Sequence, residues 1–340
     1  MTKAGTTSRA NYPPIVTAVT AALAAVLVGI ALTAAAPVPG VAEVSEVVSV
    51  SIPIVHVLMD LAAVTTIGLA LLSVLVGYDR PKLTEPVLAL ARPAAVASAL
   101  VWSVAALVTL VLQTAEFRPG SSTIGFRDFA DYIVQIGAGK ALLVVAVLAF
   151  AHAVLGVLAL RHGEQVPAEV RVGLGLFALL PLPVTGHAAN WSYHDYTMIS
   201  MELHVMSAVA WMGGLGAMAV LLVYNRTLLA YALPRFSKLA TLCLVLTVLT
   251  GLFNAGVEIL VNPTIGFWHG LFGTAYGRLV LLKIACVVAI GALGATLRWR
   301  LMPRIMRHER TALATWASME LMVMGLAFGF AVVLTRAPVS

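Results

Sequence analysis

Residues 198–224 read MISMELHVMSAVAWMGGLGAMAVLLVY, a stretch whose only carboxylate is Glu202 and whose only histidine is His204. A bilayer's hydrocarbon core takes about 20 mostly apolar residues in helical form, so this stretch is long enough to cross one. Working outward from it, comparable runs occur at about 14–35, 52–77, 92–113, 140–160, 169–183, 235–258, 276–298 and 311–335. The whole chain of 340 residues is 61% hydrophobic and 11% charged, with a mean hydropathy of +0.98. A water-soluble domain carries roughly 25% charged residues. The expected fold class is therefore all-α: a polytopic helical bundle of about nine transmembrane helices. The weakest run is the fifth, where Pro181 and Pro183 end the apolar stretch early.

The formal charge of +6 has a direction. With the N-terminus inside, the inner segments hold Lys3, Arg9, Arg80, Lys82, Arg92, Arg161, Arg171, Arg226, Arg235, Lys238, Arg298, Arg300, Arg304, Arg307 and Arg310, fifteen of the 21 basic residues. That asymmetry orients membrane proteins and gives an N-in, C-out arrangement. It accounts for the basic pI without a nucleic-acid partner. Lys3, Arg9, the first apolar run and Ala34-Ala35-Ala36 imitate a secretory signal, but the run is long and Pro37 disfavours cleavage; a retained span is expected. Cys243 and Cys286 both fall inside spans, which suggests buried small hydrophobes rather than a disulfide framework.

The chain reads as one transmembrane domain, with an extra N-terminal span (14–35) before two helical groups, 52–183 and 198–335. Its longest loop, about 114–139, repeats Phe126, Phe129, Ile133 and Ile136 opposite Asp128 and Asp131, which predicts a short interfacial helix. The two groups echo one another. His56 precedes Gly68 by the interval that separates His204 from Gly216; Gly139-Lys140 precedes Leu155-Gly156 as Gly277-Arg278 precedes Leu293-Gly294. Spans two to four and six to eight thus fit a parallel internal repeat about an axis along the membrane normal. It would set His56 and His204 at equal depth near the outer surface.

Polar side chains within a span cost a few kcal/mol on insertion scales and mark function by default. His56 and Asp60 share a face of span two, with Met59 beside them; Met201, Glu202, His204 and Met206 crowd the first turns of span six. His187 and His194 precede that span and His269 follows the seventh, so five of the eight histidines gather outside. Each histidine or methionine taken singly reads as an interfacial or packing residue. Their joint placement reads as a metal site, because imidazole, thioether and carboxylate suit a transition metal. Thioether sulfur favours Cu(I), while imidazole accepts Cu(I) or Cu(II). Lys283 on span eight, Glu320 on span nine and Glu258 at the end of span seven would form a structural ion pair or a cation relay.

HVMSAVAWMGGLGAM from His204, TGLFNA from Thr250 and YGRLVLLK from Tyr276 resemble the CopD family of bacterial copper-resistance membrane proteins. The resemblance is close over about 200–300 and looser back to His56. It implies copper capture from the periplasmic side of the inner membrane and movement across or into it, with no enzymatic step. It places the family's outer-face histidine at His204, and gives Asn254 and Lys283 helix-locking roles. The additional first span is more similar to chains in which a CopD-like half precedes a CtaG-like half. Partners implied are the lipid bilayer, the copper ion, a periplasmic copper carrier, and a CtaG-like protein or respiratory oxidase. Three readings stay open beside transport: a copper-donating assembly factor for an oxidase, a membrane redox protein holding b-type haem between paired histidines, and a metal-free scaffold subunit of a larger complex.

Overall fold

The computed structural model describes residues 10–33, 44–119, 123–185, 194–260, 266–307, 309 and 312–337. Twelve α-helices and no strand occur among them: α1 (Pro13–Thr33), α2 (Glu46–Val76), α3 (Pro81–Phe117), α4 (Phe126–Gln135), α5 (Gly137–His162), α6 (Ala168–Phe177), α7 (His194–Leu221), α8 (Arg226–Leu260), α9 (Phe267–Phe272), α10 (Ala275–Thr296), α11 (Met302–Met306) and α12 (Leu313–Leu334). Nine of the described segments are long and apolar enough to cross a membrane. The fifth, 168–185, has the lowest hydropathy of the nine, 1.4, and is α6 continued through a turn into a 3₁₀ segment at Leu182–Thr185.

The helices outrun the apolar runs that predict them. α3 starts at Pro81 rather than near 92, and α8 at Arg226 rather than near 235. Hydropathy detects only the part of a helix that lies in lipid. The first turns of α3 hold Lys82, Thr84 and Glu85, and Glu85 pairs with Arg92 at 2.7 Å. Pro81 supplies the start, since a first-turn proline sacrifices no hydrogen bond.

The extra first span is built into the bundle. α1 runs along α12, where Gly325 and Gly329 face Ala18 and Ala22 so closely that a Cβ on either glycine would lie 2.3 Å from the alanine's carbonyl oxygen. This is small-xxx-small packing, which replaces the hydrophobic drive that lipid cannot supply. Just before α1, Asn11 donates its backbone N–H to Val220 O at 2.9 Å and its amide to Ala219 O at 3.3 Å. Those are carbonyls in the last turn of α7, which a helix cannot satisfy internally.

A short helix, α4, is present where the interfacial helix is expected. Gly125 N donates to Asp128 Oδ2 at 2.8 Å to start it, and Arg118 lies 3.2 Å from Asp128 and 3.5 Å from Asp131. Its buried residue is Tyr132, whereas Phe126 is 86% exposed. Tyr132 donates to Gln113 Oε1 at 3.0 Å, and burial together with the Glu116 carboxylate pushes its phenol up to about 12, so the donor proton is retained. Tyr132→Phe leaves the buried Gln113 oxygen without this donor and is expected to cost about 1–2 kcal/mol, read as a melting temperature in detergent lower by a few degrees. An unchanged melting temperature would show that this loop does not brace α3.

Candidate functional site

α2 and α7 carry most of the candidate donors, and two glycines set how they meet. A Cβ on Gly68 would sit 2.2 Å from Gly213 O, and one on Gly213 would sit 2.4 Å from Val64 O. The backbones touch there. His56 lies twelve residues before Gly68, and His204 nine before Gly213, roughly 18 Å and roughly 14 Å back along their helices at 1.5 Å per residue. Both histidines therefore stand on the same side of the crossing. Gly68 does not meet Gly216, its counterpart in the repeated interval; Gly216 faces Leu321 instead. The expected equal depth of the two histidines thus becomes an offset of about one helical turn, because close approach is decided by which small residues face each other.

Beyond the crossing α2 and α7 diverge, and a cavity of about 570 Å³ lies between them, α8, α10 and α12. It takes the first halves of α2, α7 and α10 and the second halves of α8 and α12. In the N-in arrangement each of these is the outer half. His56, Asp60, Met201, His204, Asn254 and Lys283 all line it, within walls that are otherwise mostly apolar. Ile290 and Met324 lie deepest along α10 and α12 among the lining residues. One turn deeper Glu320, 3% exposed, lies beside Gly294, whose added Cβ would be 3.7 Å from Glu320 Oε1. Laterally, Leu252, Ile284 and Val288 line the cavity yet stay exposed, so it opens between α8 and α10 toward the lipid.

The other candidates are placed elsewhere. Met59 is fully buried in the core, on the shoulder of the helix face that presents His56, Asp60 and Ala63. Glu202 and Met206 are half-buried and off the cavity face of α7; His269 is exposed on α9; Glu258 ends the apolar part of α8. His187 and the side chain of His194 lie outside the described residues. Lys283 pairs with neither Glu320 nor Glu258, and no ion pair is made by any of the three among the described residues. Cys243 and Cys286 are buried and free, as expected.

α8 contributes more than the sequence suggests. Its face toward α7 presents Thr247, Thr250, Gly251 and Asn254 at helical spacing. His204 Nδ1 is 3.0 Å from Thr250 Oγ1, and Asn254 Nδ2 donates to Met201 Sδ at 3.9 Å. Thr247 Oγ1 and Asn254 Oδ1 are buried with no hydrogen-bond partner, and both residues line the cavity. Unsatisfied buried oxygens are costly. Among the described residues, no three His, Cys, Asp or Glu side chains are gathered closely enough to hold a metal on their own. The donors at the cavity are two imidazoles, one carboxylate and a thioether.

Residues 230–334 match the family described as Copper resistance protein D, and residues 47–195 match the Copper resistance protein D-like, N-terminal domain. The chain belongs to the copper resistance protein D family. The two matched regions of this family member include His56 and Asp60 in one, and Asn254, Lys283 and Glu320 in the other; Met201 and His204 lie between them. The family member is also 33% identical over 147 residues to the copper transport protein CutJ of Bacillus subtilis (strain 168), a match covering 41% of this chain and 26% of that protein. No solved structure matches it.

Proposed function

We propose that this protein captures copper from the outer side of a bacterial plasma membrane, in the cavity between α2, α7, α8, α10 and α12, and passes it across or into the membrane. The carrying observation is that His56 and His204, on helices whose backbones meet at Gly68 and Gly213, line one cavity together with Met201 and Asp60. The donor set favours Cu(I): the thioether is soft, and the imidazoles bind copper in either state. Zinc takes imidazole, carboxylate or thiolate ligands, so the Met201 thioether is the donor that distinguishes Cu(I). His187, His194 and His269 form an outer approach, and Glu320 the next polar group inward from the cavity. The activity is binding and movement without bond chemistry; a periplasmic carrier, a CtaG-like protein or a respiratory oxidase are the partners suited to either end.

One observation favours a second reading. The cavity is far larger than a single ion needs and mostly apolar, and an apolar chamber with two imidazoles also suits b-type haem. Purification in mild detergent decides between them. The copper reading expects about one Cu(I) per chain by mass spectrometry after loading and washing, and no reduced-minus-oxidised haem spectrum. A haem spectrum with no retained copper would sink it.

A further inference from the structure

We propose that Thr250, Gly251 and Asn254 of α8 are positioning residues that fix His204 and Met201 as donors aimed into the cavity. Thr250 holds His204 as the Nδ1–H tautomer, which leaves the Nε2 lone pair free. The metal part of this inference rests on the copper-capture reading above; the tautomer part does not.

The hydroxyl of Thr250 decides the tautomer. Thr250 Oγ1 donates its only proton to Leu246 O at 2.5 Å, one turn back along α8. Toward His204 Nδ1, at 3.0 Å, the oxygen can then only accept, so Nδ1 carries the proton. In a neutral imidazole one nitrogen donates and the other accepts; Nε2 is therefore the acceptor. A hydrogen bond at one ring nitrogen selects the metal-binding nitrogen in this way.

Gly251 gives the ring its seat. A Cβ at this position would lie 3.1 Å from His204 Cε1 and 3.5 Å from Nδ1. Thr250 does not itself line the cavity, whereas Gly251 and His204 do, so the threonine acts from behind the ring. One turn further, Asn254 donates to the sulfur of Met201, three residues before His204 on α7. Thr250 and Asn254, spaced by four, thus hold His204 and Met201, spaced by three, across an antiparallel helix pair. Asn254 lines the same chamber, while its amide oxygen is buried without a hydrogen-bond partner among the described residues. This gives the Thr250…Asn254 motif a task that its residue types alone do not reveal.

The test labels histidine ring nitrogens with ¹⁵N in the detergent-solubilised full chain, assigns His204 by comparison with His204→Gln, and reads the tautomer without metal. Wild type and Thr250→Ser are expected to show a protonated Nδ1 and a bare Nε2; Thr250→Val, of equal shape but with no acceptor, a tautomer mixture. Cu(I) affinity should fall about 10–100-fold in Thr250→Val and recover in Thr250→Ser. Gly251→Ala, which displaces the ring with Thr250 intact, should also weaken Cu(I) binding. An Nε2–H tautomer in the metal-free wild type would overturn the inference, as would a Thr250→Val protein with wild-type spectrum and affinity. If wild type binds no copper at all, the capture reading fails, and the ring spectrum still decides the tautomer.

Discussion

Gly68→Val is expected to leave little or no monodisperse protein in detergent, whereas Gly291→Ala retains the full melting temperature. The two substitutions add apolar atoms to glycines in long transmembrane helices, so composition does not distinguish them. The surroundings do. A Cβ on Gly68 runs into three backbone atoms of one residue, Gly213: its O at 2.2 Å, its carbonyl carbon at 2.4 Å and its Cα at 2.6 Å. No rotamer change relieves a clash with backbone, so α2 and α7 would have to separate by an ångström or more along their whole contact. Overpacking a core costs about 1–3 kcal/mol when side chains can yield; here none can, and the cost is expected to exceed that range. In lipid the loss is harder to recover, because helix association rests on packing rather than on removal of apolar surface from water. Gly291 has nothing within 4 Å of its Cβ position, and alanine there is neutral or slightly favourable, since glycine in a helix interior costs about 0.5–1 kcal/mol. Thermal unfolding followed by size-exclusion chromatography reads both. A Gly68→Val protein that elutes and melts as wild type would show that the crossing does not hold the bundle, and the divergence of α2 and α7 that opens the cavity would need another cause.

The number of spans was legible because the cost of burying charge in lipid leaves a coarse signal, readable residue by residue. The short helix α4 was legible for the same reason, since its Asp128 and Asp131 must face water. Which side of each span faces the protein was much less so. In a soluble helix the apolar stripe points inward, but a transmembrane helix is apolar toward lipid and toward protein alike. Met59, Met201 and Met206 were therefore equivalent candidates in the sequence, and the fold separates them: Met201 lines the cavity, Met59 is in the core, and Met206 is turned off the cavity face. Gly68 could be paired with Gly216 by interval, yet contact chose Gly213, as no spacing rule encodes the angle at which two helices cross. His152 sits mid-span in the sequence and belongs to no ligand pattern there. It is 1% exposed with both ring nitrogens unpartnered, near Arg171, which is 2% exposed; the available signal was an arginine three residues past the start of an apolar span. Thr250 was quoted within a motif and given no role, because a hydroxyl that acts through another residue's ring leaves no trace in the spacing of ligands.

His204→Ala is expected to lower Cu(I) affinity by more than the roughly 10–100-fold that loss of a ligand's hydrogen-bonding partner costs, and His56→Ala,His204→Ala to abolish retained copper. The reasoning is local. The two imidazoles come from different helices, so either one can still hold an ion with Met201 or Asp60, but removal of both leaves one thioether and one carboxylate in an apolar chamber, too few donors to offset dehydration of the ion. Neither change should unfold the protein. His204 is half-buried at a cavity wall and hydrogen-bonded to the Thr250 hydroxyl and the Thr247 backbone, and His56 makes no described hydrogen bond, so the melting temperature serves as the control. Met206→Leu and His269→Ala, which alter candidates outside the cavity, should keep the wild-type equilibrium affinity. His269→Ala is expected to act, if at all, on the rate of loading, as befits an exposed residue along the approach. Competition against a chromogenic Cu(I) chelator gives the affinities, and stopped-flow mixing gives the loading rates. Full copper binding in the double variant would remove the cavity from the proposal and move capture to the outer loops. Equal losses in His204→Ala and His269→Ala would bring α9 into the site, although none of its residues lines the cavity.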